Sequence, residues 1–257
     1  MSASYLDLGF PTRLIGRQVL YHARLASTSS RILEFARDPA QDGLVVLADE
    51  QLTGRGTRGR HWFCPPSSGL LFSVLLFPPP ELRRPVYFST LAGVAVCEAI
   101  STHVQRQAYL KWPNDVLVRG LKVSGILIEQ HPVATVLGIG VNVDISEAEF
   151  LAQGLPEAGS LAALATTPLH RMDLLRTLLT RLDEHYAELC AGRVADLEAR
   201  WRDYSGLMNR QVVAQVGEEV LLGRLLEMRF DKIELRTMLG QVRHFRAEEL
   251  DRLTPLQ

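Results

Sequence analysis

Apolar positions come in short runs over the first half of the chain and in helical stripes and short β-like runs over the second. Gln18-Val19-Leu20-Tyr21-His22 reads as a strand. Ser27-Thr28-Ser29-Ser30 then offers several N-cap candidates before Ile32, Leu33, Phe35 and Ala36, which share one helical face. The run Leu44-Val45-Val46-Leu47 leads into a polar stretch. Residues 70–77 (LLFSVLLF) predict a strand buried on both faces, ended by Pro78-Pro79-Pro80. Pro85 can open a helix whose apolar stripe runs through Leu91, Val94, Ala95 and Cys97 to Ile100. Strand, proline-marked break and strand follow over 108–118. Arg119-Gly120 turns the chain into 121–129, and 135–143 adds a strand carrying Gly138 and Gly140. Four or five successive strands, with helices before and after, predict an α+β fold: a mixed, mostly antiparallel sheet flanked by helices.

Residues 144–168 read as a loop, with Gly154, Pro156, Gly159 and Pro168. Helical patterns cover 170–190 and about 194–203. Asn209-Arg210 marks a boundary. Beyond it, 212–216, 220–226, 233–235 and 241–245 read as short strands joined by tight turns, the spacing of a small β-barrel. The chain therefore divides into a lead-in at 1–15, a main domain at 16–205 and an all-β unit at 209–257.

Composition excludes little and simplifies much. The 257 residues are 47% hydrophobic and 22% charged, as in an ordinary globular protein. A formal net charge of −1 gives no general attraction to nucleic acid or to an anionic membrane. Cys64, Cys97 and Cys190 are odd in number and lack metal spacing, so they read as reduced thiols in a cytoplasm. No signal pattern and no apolar run of membrane-spanning length stands out. The stretch before residue 20 is too short for a helix-turn-helix, so no DNA partner is expected.

The candidate chemistry centres on Gly54-Arg55-Gly56-Thr57-Arg58-Gly59-Arg60-His61-Trp62. Glycine leaves the backbone free until a ligand orders it, and arginine offers a charged planar fork matched to carboxylate and phosphate. The spacing also fits the dinucleotide fingerprint G-x-G-x-x-G. That fingerprint must open a helix, and Pro65-Pro66 and Gly69 forbid one here. An anion site, with a nucleotide as its occupant, is the better reading; a solvated surface loop is the bland one.

Together with Lys111-Trp112-Pro113-Asn114-Asp115, Lys122-Val123-Ser124-Gly125-Ile126-Leu127-Ile128-Glu129 and Gly138-Ile139-Gly140-Val141-Asn142, this loop closely resembles the biotin protein ligases. The resemblance runs from about Ile15 to the C-terminus. It implies a biotin/lipoate ligase-like catalytic domain followed by an SH3-like β-barrel, in a short form without an N-terminal DNA-binding module. It implies two half-reactions, in which biotin and ATP give biotinyl-AMP and a lysine of a biotin carboxyl carrier protein, as in acetyl-CoA carboxylase or a related carboxylase, takes the biotinyl group. Monomer and homodimer both stay open, and no membrane partner is implied.

The resemblance also assigns roles. Lys122 and Arg55 are catalytic, with Lys122 between the biotin carboxylate and the α-phosphate. Ser27, Thr28, Ser29, Gln51, Gly54, Arg55, Gly56, Lys122, Gly125, Gly138 and Gly140 surround biotin. Arg58, Arg60, Trp62, Asn114, Lys122 and Asn142 surround ATP, and Asp115 helps hold Mg²⁺ through the phosphates. Each has a plainer reading from the residues alone: Lys122 as a solvated lysine after a turn, Trp62 as core, Asp115 as a fixer of the strand break, the 27–30 hydroxyls as a cap. Trp112 reads as structural. The chain departs from the family twice. Ser29 stands where many members have asparagine, and Thr57 where many have another arginine, which bears on how long the adenylate is retained.

Overall fold

The computed structural model describes residues 4–256. Residues 1–3 of the lead-in and residue 257 lie outside the described residues. In chain order the elements are β1 (Ser4–Leu6), β2 (Val19–Leu25), α1 (Thr28–Ile32), β3 (Val45–Gln51), β4 (Gly69–Leu76), α2 (Pro85–Val104), β5 (Ala108–Lys111), β6 (Asp115–Val118), β7 (Leu121–Gln130), β8 (Thr135–Asn142), α3 (Glu147–Ala152), α4 (Leu161–Leu164), α5 (Arg171–Cys190), α6 (Val194–Ser205), β9 (Gln211–Val216), β10 (Glu219–Met228), β11 (Ile233–Thr237), β12 (Val242–Phe245) and β13 (Arg252–Pro255).

Among the described residues, eight strands form one sheet in the order β1-β2-β3-β4-β8-β7-β6-β5. The β2–β3 pair is parallel and the other pairs are antiparallel. This is the α+β mixed sheet that the periodicity predicts, with more strands. The lead-in contributes the edge strand β1. Residues 13–15 are pinned differently: their three backbone N–H groups donate to the Asp183 carboxylate at 2.7–2.9 Å.

One face of the sheet carries α2, α5 and α6. Pro85 takes the first turn of α2, as anticipated, and Val86, Phe88, Leu91, Val94, Ala95, Ala99 and Ile100 are buried. The helix is long and apolar enough to cross a membrane, which corrects the reading that no such run exists. Its apolarity has another cause: it is sandwiched between the sheet and α5, so it is hydrophobic nearly all round. The other face packs α1 on Leu20, Leu44, Val46, Leu75 and Val136.

Two further expectations change. Residues 144–168 are not only loop. Ser146 and Glu149 make a reciprocal capping box that starts α3, and Phe150 buries its ring there. The C-terminal unit has a fifth strand, β13, beside β9, in the order β12-β11-β10-β9-β13. Its end strands do not pair with each other, so the expected barrel is not closed by hydrogen bonds. This unit is seated against the first sheet by stacked aromatics. Trp201 lies parallel to Phe230 at 5.2 Å and tilted against Trp112 at 5.1 Å, and Trp112 Nε1 donates to the Leu250 carbonyl at 2.9 Å. Trp112 is structural, as read.

Candidate active site

The face that carries α1 is hollowed between α1, the Gly/Arg loop and strands β7 and β8, leaving a cleft of about 150 Å³. Its inner end is neutral and polar. Ser27 caps α1 by accepting the Ser30 N–H, so the next two hydroxyls, of Thr28 and Ser29, sit in the first turn and are nearly buried. Gln51, at the end of β3, accepts from Thr28 through both N–H (2.7 Å) and hydroxyl (3.0 Å). The outer end is cationic, with Arg55, Arg60 and Lys122 along its lining.

The loop is a small hairpin. Trp62 N–H donates to the Gly54 carbonyl, Gly56 N–H to the Arg60 carbonyl, and Arg55 bridges His61. A Cβ on Gly54 would lie 2.7 Å from the Trp62 carbonyl oxygen, so this glycine serves the hairpin's close approach. The tip turns through Arg58, at φ +58°, and Gly59, at φ +73°. This turn aims Arg58 away from the cleft, onto Asp251 of the C-terminal unit at 3.1 Å. Arg58 therefore does not line the cleft in this structure. Arg60 donates to the Thr57 carbonyl and hydroxyl (3.3 and 3.1 Å), and Arg55 pairs with Glu129 at 2.8 Å.

Of the residues singled out from sequence, Ser27, Thr28, Ser29, Gln51, Arg55, Gly56, Arg60, Trp62, Asn114, Lys122, Gly125, Gly138, Gly140 and Asn142 line the cleft. Gly54, Arg58 and Asp115 do not. The glycines open space mainly for protein. A Cβ on Gly125 or Gly140 would fall 2.5–2.6 Å from the Trp62 indole, and one on Gly138 would fall 2.7 Å from Ser29 Oγ. Trp62 thus lies flat on the sheet inside the cleft, with its Nε1 lacking a hydrogen-bond partner.

Lys122 enters from the start of β7. Its Nζ is 2.6 Å from Asp115 Oδ1 and 5.6 Å from the Trp62 ring centroid. The Asp115 contact is an ion pair and not an aligned hydrogen bond, since the same oxygen has no donor in line. The Lys122 backbone is strapped on both sides: its N–H donates to the Glu157 carbonyl and its carbonyl accepts from Gly159. Asn142 Nδ2 donates to the Lys122 and Gly159 carbonyls at 3.3 and 3.1 Å, leaving Oδ1 buried without a donor. Asn142 is therefore both a clamp on the strap and an unfilled acceptor on the cleft wall.

Sequence reasoning missed the wall made by α3 and the segment after it, namely Phe150, Leu155 and Ala158, with Phe63 edge-on to Phe150 at 6.3 Å. The Ser146-x-x-Glu149 pattern was the signal that could have found it. It also missed Ser73, the polar residue of the otherwise apolar β4, which is fully buried and touches both Thr28 and Ser29. Tyr21 and Arg171 both bond Asp49, behind the loop (2.6 and 3.2 Å), and the Tyr21 bond, ahead of burial, pushes the phenol pKa up.

The mixed sheet thus carries a cleft with a neutral polar pocket at one end and a cationic Gly/Arg loop at the other. The Biotin/lipoate A/B protein ligase family model matches residues 21–146. The biotin–(acetyl-CoA-carboxylase) ligase of Paracoccus denitrificans is 30% identical over 211 residues, which cover 76% of this chain and 84% of that protein. The bifunctional ligase/repressor BirA of Bacillus subtilis is 30% identical over 210 residues, and the match spans 65% of its length. A solved biotin protein ligase from Aquifex aeolicus, in complex with biotin and ATP, superposes with a TM-score of 0.78 at 25% identity, covering 93% of this chain and 99% of that one. The chain belongs to this family, among its biotin protein ligases.

Proposed function

We propose that the chain is an ATP-dependent biotin protein ligase acting on a lysine of a biotin carboxyl carrier protein. The observation that carries this reading is the arrangement of the cleft's two ends. A hydroxyl and amide pocket (Thr28, Ser29, Gln51) suits an uncharged polar ring, and Lys122, Arg55 and Arg60 stand along the same cleft where a carboxylate and phosphates would meet. In the first step a carboxylate oxygen of biotin attacks the α-phosphorus of ATP, and the bond to pyrophosphate breaks. The transition state gathers negative charge, and fixed cations placed there are usually the largest catalytic contribution. Lys122 and Arg55 supply that charge, and in doing so they exchange Asp115 and Glu129 for the ligands. In the second step the carrier lysine amine attacks the acyl carbon, AMP leaves, and the excess proton is lost to solvent or base.

As it stands the cleft, at about 150 Å³, is smaller than the roughly 300–1,000 Å³ usual for ligand sites. The unfilled Asn142 Oδ1 suits an amino or hydroxyl group of the nucleotide. Among the described residues no group of three His, Cys, Asp or Glu side chains could cage a metal, and the Asp115 carboxylate is already paired. A protein-only Mg²⁺ site does not fit these residues; a metal arriving with the triphosphate would draw its oxygens chiefly from the phosphates.

ATP–pyrophosphate exchange with biotin and with lipoate tests the first step. Biotin-dependent exchange is expected, and lipoate-dependent exchange exceeding it would overturn the reading. Transfer of labelled biotin to a purified carrier domain tests the second step.

A further inference from the structure

Ser73 lies at the middle of β4 with no exposed surface, and it does not line the cleft. It stands opposite Gly138 of β8, where the missing side chain leaves room for Ser29 to reach down to it. Its hydroxyl is 2.9 Å from Thr28 Oγ1 and 3.0 Å from Ser29 Oγ. Three buried hydroxyls in a row own one proton each, so the direction of the row can be worked out.

The fixed end is Gln51. Thr28 N–H points at Gln51 from 2.7 Å, and a backbone N–H can only donate, so the atom facing it is the amide oxygen. The Thr28 hydroxyl, 3.0 Å from that same oxygen, must donate as well. Its proton is then spent, and the Thr28–Ser73 contact is bonded only if Ser73 donates. That spends the Ser73 proton, and the Ser29–Ser73 contact is bonded only if Ser29 donates. The sole assignment in which every contact holds a proton is Ser29 to Ser73 to Thr28 to Gln51. Reversing any step sets two oxygens against each other with no proton between them, in a buried site where that is costly.

The direction has a consequence in the cleft. With its proton turned down toward Ser73, Ser29 presents only lone pairs to the cavity, while Gln51 Nε2 is left with donors to offer. The pocket floor therefore asks for a ligand with an N–H facing Ser29 and a carbonyl facing the amide. We propose that Ser73 is a positioning residue for recognition of the substrate ring, fixing the polarity of a floor it does not itself form. This rests on the biotin reading, since a cyclic urea carries N–H and carbonyl groups side by side and a dithiolane ring carries neither.

The test compares biotin with its two mono-N-methyl derivatives, in which one ring N–H is lost, by pyrophosphate exchange on the intact protein. For the unmodified protein, the derivative that lacks the N–H facing Ser29 should be disfavoured by on the order of a hundredfold or more in kcat/KM, because a buried acceptor built for an N–H is left without one. Ser73→Ala frees Ser29 to turn its proton into the cavity. The KM for biotin should then rise by roughly tenfold or more with kcat nearly unchanged, and discrimination against the N-methyl derivative should fall to a few-fold. Ser73→Cys, close in size and still able to bond weakly, should recover part of that discrimination, and it carries the same test if the alanine variant fails to fold. A purely structural serine would change rates for all three ligands together. Unchanged discrimination in both variants, with biotin exchange intact, overturns the inference and leaves the proposed function standing. Absence of biotin-dependent exchange in the unmodified protein overturns both.

Discussion

Lys122 Nζ stands 2.6 Å from the Asp115 carboxylate, so the lysine of the cleft is already neutralised before any substrate binds. An incoming anion has to win the cation from Asp115. Removing the lysine should therefore act on chemistry far more than on folding. Lys122→Ala should lower the rate of pyrophosphate exchange by two to three orders of magnitude, about 3–4 kcal/mol of lost transition-state stabilisation. The melting temperature, read on the same preparation, should move little. Near-normal turnover would remove Lys122 from the mechanism.

Residues 53–61 should change their dynamics on binding. The hairpin is held by few backbone bonds, and its arginines are partnered by Glu129, Asp251 and Thr57, which ligands can replace. Amide exchange there should be fast in the free protein and slow with biotin or biotinyl-AMP. Equally slow exchange in both states would mean that the hairpin is preformed.

Trp62 can report the same event optically. Trp112 and Trp201 are buried in the seam between the two sheets, whereas Trp62 lies in the cleft against Gly125 and Gly140. Ligand binding should change the intrinsic tryptophan fluorescence, and Trp62→Phe should abolish that change. A change that survives in Trp62→Phe would place the moving indole elsewhere.

Thr57 is more than a missing arginine, because its hydroxyl and carbonyl hold Arg60. Thr57→Arg gives up the hydroxyl contact and adds a cation near the phosphates. Biotinyl-AMP should dissociate roughly ten- to a hundredfold more slowly from that variant, the effect of about 1.5–3 kcal/mol of added charge-assisted bonding. Asp251→Ala, which frees Arg58 from the C-terminal sheet, tests whether the neighbour can take the same place. Equal off-rates for the natural protein and Thr57→Arg would make position 57 neutral.

Trp201→Ala should cost about 3–5 kcal/mol, the usual penalty for emptying a large buried aromatic site. It removes the ring that both Phe230 and Trp112 pack on. Chemical denaturation should show the loss directly, and proteolysis in the 206–210 linker should accelerate.

The parts of the fold that could be read from sequence are those whose signals are long or redundant. Pro85 and a 20-residue apolar segment announced α2, and alternating or continuous apolar runs announced the central strands. The missed pieces are short: α3 has six residues among glycines and a proline, and β13 has four ending in Pro255. The residues of the cleft were legible through the resemblance of four motifs to the biotin protein ligases; from residue types alone Lys122, Trp62 and the 27–30 hydroxyls kept plainer readings. The direction of Arg58 was not, since it depends on one left-handed residue at the hairpin tip. Nor was Ser73 legible, because its partners come from α1, linked onward to β3, and meet it only after folding.

The turn from Trp112 to Asp115 faces two ways. One end places the carboxylate that pairs with Lys122, and the other sends an indole N–H to the Leu250 carbonyl of the C-terminal unit. A chimera that exchanges the C-terminal unit must therefore transplant an interlocking set: the carbonyl at Leu250, the ring of Phe230 and a matching face for Trp201. Grafted without them, the new unit would leave Trp112 without its acceptor, and the disturbance would reach Asp115, the ion-pair partner of Lys122, through four residues of backbone. The two sheets are modular in the order of the chain but not in engineering.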